Sequence, residues 1–493
     1  MTSAADTPAP RTAPVEDVGR VEFHSIDYIP ESQRRGRAWN QATLWFMADA
    51  ELATLAIGLI GIAAGLNLFW AIVAAIIGLG FGTLFQATHS VQGPKLGIPQ
   101  MIQSRAQFGY YGAIWPQLMA WLEFVGFTVF NVIVGGQALH ISTGLNYKLS
   151  LIVVFILAVG FAILGYHYIH RLARWATWSY LVVFGFLTIG VLFTVHLPAG
   201  ALTAGGFKWA PFLLMFGVTA SYQVTGAPFV SDYSRYLPKD TRPRKCFGWT
   251  YLGCWVGAFW PIALGSFLSA AFPKGQTIDV VRLGGDTIFG GFGKFALFVA
   301  VLGMVGASSV TIYSGSVTGI SIADSLRRIR PGRAARLASI AFVTAVSVVL
   351  ALLVPQNFLT DFSNFLLLML YFLIPWTAVN LVDYFLIRHG DYSIPDIFKP
   401  QGIYGKLDWK GATAYVVGVL VMIPFFSTTL YTGPVAHALK GADITVLVGL
   451  PVSAVLYYIL ARGADRSQER QLAHARNAEM ERILATQASP TGS

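Results

Sequence analysis

The sequence predicts an all-α polytopic membrane protein of twelve transmembrane helices, arranged as a five-plus-five inverted repeat with two helices appended. Three observations carry that reading. Only 12% of the 493 residues are charged and 55% are hydrophobic, with a mean hydropathy of +0.59; a soluble chain would carry roughly 25% charged residues. Apolar stretches of about 20 residues, the length a bilayer requires, recur along nearly the whole chain. The basic residues cluster between those stretches, as in a membrane protein oriented by its loops. The net charge of +10 therefore does not point to a nucleic-acid partner.

Spans are expected near 43–66, 68–92, 113–142, 148–166, 172–197, 209–231, 246–272, 294–322, 335–354, 362–387, 411–432 and 444–462. An even number puts both termini on one side. Of the 34 Lys and Arg, only Lys148, Lys208, Lys274, Arg282, Lys294 and Lys440 then fall on the other side. That bias places both termini in the cytoplasm, and one missed span would scramble it. The expected segments are a tail over 1–40, a first repeat over 41–200, a second over 201–390, two helices over 391–462 and a tail over 463–493. Residues 1–20 read as a disordered tail, because they are polar and rich in Pro and Ala. No cleavable signal peptide is expected, since polar residues precede the first apolar run. The C-terminal "RSQERQLAHARNAEMERILATQ" reads as a solvated or surface-lying helix.

Twelve spans without a soluble catalytic domain indicate a transporter. A membrane enzyme would gather acids, histidines or a nucleophile at one depth. Here His89, His140, His167, His170 and His389 lie near helix ends or in loops, without metal-ligand spacing. Cys246 and Cys254, the only cysteines, make neither a disulfide framework nor a zinc site. The Gly-rich "GGDTIFGGFGKF" lacks the Lys-Ser/Thr ending of a phosphate loop and reads as a turn. A passive channel remains the rival from a different class.

The first span, "LWFMADAELATLAIGLIGIAAGL", carries Asp49, Glu51 and Thr54 in an apolar run. The sixth, "FGVTASYQVTGAPFVSDYSRYLP", holds Gly217, Gly226 and Pro228 with Ser221, Tyr222, Gln223 and Thr225. Each is the first helix of five, where transporters with inverted repeats break a helix beside the substrate. In span three, Glu123, Phe127 and Asn131 share one helix face at i, i+4 and i+8. A carboxylate, a ring and an amide suit a flat polar heterocycle, although Asn131 and Phe127 would also serve plain helix packing. Span eight adds Ser308, Ser309 and Thr311, either a polar lining or interhelical glue.

Four stretches carry a family resemblance: "YIPESQRRGRAWNQATLWFMADA", "QMIQSRAQFGYYGAIWP", "GAPFVSDYSRYLP" and "VNLVDYF". With them the chain resembles the nucleobase:cation symporter family one, of the purine–cytosine permease type, over roughly residues 22–460. The resemblance implies a leucine-transporter-like fold and alternating access. It also implies import of a nucleobase or related heterocycle with a proton or sodium ion, and no cofactor beyond that ion. The aromatic and amide positions that hold the ring fall at Phe127 and Asn131, and the sixth-span site at Gln223 and Thr225. Gly226 stands where many bacterial relatives have Trp, and Ser308 and Thr311 stand where fungal relatives have Asn. These departures suggest a roomier pocket or a substrate with more donors.

Many relatives have Asn where Asp49 and Glu51 stand. A charge at bilayer depth costs roughly 3 kcal/mol on insertion scales, and two residues apart in an intact helix point about 200° apart. An unwound segment lets both reach the cavity. Three roles follow: a proton carrier, which suits carboxyls buried side by side; a partner for substrate N–H groups or a cationic substrate; or a sodium ligand. A salt bridge or cap to a neighbouring helix is the structural alternative, and Glu123 faces the same choice. No Lys or Arg lies at comparable depth to pair with them. For sodium, the resemblance places the ion between the first-helix break and two hydroxyls of span eight, Ser308 and Ser309 in one alignment. A shift of two or three residues puts Val305 and Gly306 there instead and abolishes the site.

Asp232 and Arg235, at i and i+3, are expected as a static pair or part of an inner gate. Asp383 is expected to brace the end of span ten, and Arg105 to order the start of span three. The reading is a symporter of the cytoplasmic membrane that imports a nucleobase-like small molecule, proton-coupled, with lipid and substrate as its partners and no bound metal. The alternative is a sodium-coupled importer of allantoin, a hydantoin or a thiamine-like cationic ring.

Overall fold

A computed structural model describes residues 26–329, 332–353 and 359–488; the expected disordered tail at 1–20 lies outside them. Helices α1 (Asn40–Asp49) and α2 (Leu52–Ala63) are followed by α3 (Leu68–Ser90), α4 (Ile114–Thr143), α5 (Tyr147–Leu164) and α6 (Tyr166–Thr194). The second half holds α7 (Trp209–Val224), α8 (Pro243–Ala271), α9 (Phe292–Leu326), α10 (Arg333–Leu353) and α11 (Leu359–Val382). Last come α12 (Trp409–Met422), α13 (Thr445–Ala461) and α14 (Ser467–Ala488). Among the described residues there is no strand, only one isolated bridge between Ser427 and Thr432.

Among the described residues nine helices, α3 to α11, are long and apolar enough to cross a membrane, and α1 with α2 makes a tenth span bent by 56°. The two remaining expected spans, α12 and α13, are shorter apolar helices. In α12 the regular helix stops at Met422 and gives way to a 3-10 turn over Ile423–Phe425. Pro424 has no N–H to donate there. Between α5 and α6 no loop intervenes, because Gly165 adopts φ +82 and reverses the chain in one residue. Arg171, which falls between the spans expected at 148–166 and 172–197, consequently belongs to α6.

Glycines set how closely the helices approach. A Cβ on Gly58 of α2 would stand 2.2 Å from the Ile262 carbonyl, and one on Gly265 of α8 2.2 Å from the Leu55 carbonyl. The two backbones touch, as small residues permit between membrane helices. Helix α3 meets α7 in the same way: a Cβ on Gly78 would lie 2.5 Å from Phe216 O, and one on Gly82 2.3 Å from Ala220 O. The two broken segments, α1–α2 and the sixth span, therefore each lie against a glycine-lined neighbour. Helix α4 packs most extensively on α9 and closes the core from the other side.

The end of the bundle bearing the termini is sealed by polar ties. Buried Arg105 pairs with Asp324 (3.3 Å), donates to Ser321 O (3.0 Å) and Ser325 Oγ (2.9 Å), and lies over Tyr110. It thus fixes the segment before α4 to the end of α9. Asp383 accepts from Tyr392 and Tyr457 at 2.7 Å each and from Gln107 at 3.0 Å, and pairs with Arg388. Asp232 accepts from the Gln100 N–H (3.0 Å), while Arg235 donates to the carbonyls of Asp232 and Asp27 (3.2 Å each). Helix α14 docks on this end rather than lying free: Glu469 pairs with Arg388 (2.6 Å), Arg476 with Asp396, and Glu481 bonds Tyr28.

Candidate substrate site at the first-helix break

The break in the first span is two residues long. Helix α1 closes at Asp49, Ala50 takes φ −81, ψ 76, and Glu51 is extended at φ −146, ψ 172 before α2 begins. Ala50 N–H still bonds Phe46 O (2.7 Å), whereas Glu51 N–H reaches back only to Asp49 O (3.0 Å). Carbonyls at the end of α1 and N–H groups at the start of α2 therefore lose ladder partners, which is tolerable beside a cavity. The sixth span is interrupted at the same place in its repeat. Its α-helix stops at Val224, turns through Thr225 and Gly226, and passes a 3-10 segment over Ala227–Phe229.

Between the two interruptions lies a small cavity. Trp45, Ala48, Asp49 and Glu51 line it from the first span, and Phe127 and Asn131 from α4. Tyr222, Thr225, Gly226 and Phe229 come from the sixth span, Ala307, Val310 and Thr311 from α9, and Gln86 from α3. The Phe127 ring meets Tyr222 and Phe365 edge-on, with centroids 6.0 and 5.5 Å apart. Thr311 Oγ1 and Thr128 Oγ1 are 2.7 Å apart and join α9 to α4 at the wall.

The chemistry of this lining is weighted to acceptors. Asp49 Oδ2, Glu51 Oε2 and Asn131 Oδ1 are buried and have no hydrogen-bond partner among the described residues. Tyr222, Gln223 and Cys254 face Asp49, and Tyr222 Oη lies 2.6 Å from Thr54 Oγ1. Among the described residues no basic side chain acts on Glu51, and the charged group that does is Asp49. Such groups are costly at bilayer depth and mark functional positions. A ligand presenting N–H groups or positive charge would satisfy them.

Of the residues singled out from sequence, the structure brings Asp49, Glu51, Phe127, Asn131, Thr225 and Thr311 to this one cavity. Gln223 stands behind the lining, with its Nε2 3.4 Å from Cys254 O. Ser308 and Ser309 also lie off the cavity, and each hydroxyl donates to its own helix, to Met304 O (2.7 Å) and Val305 O (2.6 Å). Glu123 is fully buried one turn from Phe127, off the lining, with both oxygens unpartnered among the described residues. Sequence reasoning missed Trp45 and Gln86. Trp45 carried a signal, since it precedes Asp49 by one turn and shares its face.

A family profile described as "Permease for cytosine/purines, uracil, thiamine, allantoin" matches residues 28–449. The chain belongs to this permease family. YxlA of Bacillus subtilis, assigned by name to the purine-cytosine permeases, is 37% identical to the permease over 446 residues, 90% of this chain and 96% of the relative. The purine-cytosine permease fcyB of Emericella nidulans is 26% identical over 465 residues, covering 89% and 88% of the two chains. Among solved structures the permease superposes on Mhp1, a nucleobase-cation-symport-1 family transporter closed around bromovinylhydantoin. The TM-score is 0.71 at 16% identity, over 91% of this chain and 96% of that one. That likeness fixes the fold as the leucine-transporter-like one. The permease is a multi-pass membrane transporter, and its relatives are named as permeases and transporters rather than enzymes.

Proposed function

We propose that the permease is a symporter of the cytoplasmic membrane, with both termini in the cytoplasm, that imports a nucleobase or related N-heterocycle by alternating access. One observation carries this reading: a ring (Phe127), an amide (Asn131) and two carboxylates that each keep one oxygen without a partner among the described residues (Asp49, Glu51) line one cavity between two interrupted spans. The ring packs on the heterocycle, and the acceptors bind its N–H edge.

Protons are the proposed coupling ion. In support, Asp49, Glu51 and Glu123 are carboxylates at membrane depth with no cationic partner among the described residues. The excess of acceptors favours one second reading, a sodium-coupled importer of allantoin, a hydantoin or a cationic heterocycle. One experiment separates the two: competition by purines, pyrimidines, allantoin, hydantoins and cationic rings against labelled hypoxanthine, in proteoliposomes with and without sodium. Concentrative uptake that needs a proton gradient, ignores sodium and is blocked best by nucleobases supports the first reading. Dependence on sodium, or preference for a cationic ring, moves the assignment to the second.

A further inference from the structure

Helix α3 carries one polar side chain into the cavity, Gln86, and its setting is specific. Gly78, Gly82 and Gln86 follow at intervals of four and share the face that α3 turns to the sixth span. The two glycines let the backbones touch, and one turn later Gln86 reaches over Gly226. A Cβ on Gly226 would stand 2.2 Å from Gln86 Cδ and Nε2 and 2.4 Å from Oε1. Yet Gly226 has φ −75, ψ −20, a conformation any residue adopts. The glycine is needed for space, and the occupant of that space is the Gln86 amide.

That amide is 2% exposed, lines the cavity, and makes no hydrogen bond among the described residues. Packed glutamines in this chain behave otherwise. Gln92 and Gln100, near the end of the same helix, are bonded to Asn380, to His89 and to each other. An amide that faces the cavity with both its donor and its acceptor unused is free to bond a ligand there. The carboxylates of Asp49 and Glu51 can only accept when ionised, whereas a primary amide donates and accepts side by side. Its complement is a lactam edge, a ring carbonyl next to a ring N–H.

The geometry points to Gln86 as a specificity-determining residue: its amide, seated over Gly226, pairs with the lactam edge of the transported heterocycle. This rests on the cavity being the substrate site. The test measures competition by matched rings, hypoxanthine against purine and uracil against pyrimidine, with the wild-type chain and Gln86→Leu in proteoliposomes. Wild type should prefer each lactam ring by about tenfold or more, the scale of one or two neutral hydrogen bonds. In Gln86→Leu the lactam rings should weaken by about tenfold while purine and pyrimidine shift less than about twofold. Gln86→Ala and Gly226→Ala should each lose the same preference, the second by displacing the amide, and Gln86→Ala/Gly226→Ala should lose no more than either single change. Where Gln86→Leu fails to fold, the double variant carries the comparison. An unchanged lactam preference, or an equal loss for every ring, overturns the role of Gln86. A wild-type chain that binds none of the four rings overturns the heterocycle reading beneath it as well.

Discussion

Replacing Glu51 by Gln separates what the break does for function from what it does for stability. The carboxylate is 2% exposed, Oε2 has no partner among the described residues, and the charged group among them that acts on it is Asp49. A charge so placed costs roughly 3 kcal/mol, so an isosteric amide should leave the empty protein as stable or more stable. Binding should move the other way. A charge-assisted hydrogen bond is worth about 1.5–3 kcal/mol, so its loss should weaken an N–H-bearing substrate by about 10- to 150-fold. The assay is thermal unfolding of the purified protein with and without substrate, beside direct binding. The prediction is an unchanged or raised Tm without substrate, and little further rise when it is added. If Glu51→Gln binds substrate like wild type, or lowers stability and binding together, the carboxylate is a structural brace and the reasoning fails.

Other changes should act through packing or ion pairs. Gly58→Ala would bring a Cβ to 2.2 Å from the Ile262 carbonyl, backbone that cannot yield; a loss of about 1–3 kcal/mol is expected as a lower Tm. Arg105→Met breaks the buried pair with Asp324 and should cost about 3–5 kcal/mol, visible as poor recovery of folded protein. A chain ending at Asp465 loses the pairs of α14 with Arg388, Asp396 and Tyr28. It should melt earlier yet keep the wild-type order of competing ligands. Phe127→Ala should weaken flat rings by about 1 kcal/mol or more, beyond any effect on a non-aromatic ligand of similar size.

The architecture was legible because hydropathy acts over whole segments. The breaks were legible because acids, glycines and a proline stand where apolar residues would otherwise continue. The inner lining was less so, and α9 shows why. Nearly every residue from Gly303 to Thr318 is buried, so no amphipathic pattern indicates which way Ser308 and Ser309 turn; packing against α4 decides it. Glu123 shares a face with Phe127, but one turn displaces it by about 6 Å along the axis, beyond the lining. Gln86 was hidden because a lone glutamine in an apolar helix is unremarkable until Gly78 and Gly82 are read as the contact face that it extends.

The most direct test is uptake of labelled hypoxanthine into proteoliposomes under an imposed inward proton gradient, in sodium-free buffer, for wild type and the Asp49→Asn/Glu51→Gln chain. A nucleobase symporter that works through the first-helix break should accumulate unaltered substrate above its external concentration. It should lose that accumulation with a protonophore, and lose it again in the double variant. Uptake that only equilibrates, or that persists in the double variant, would contradict the assignment.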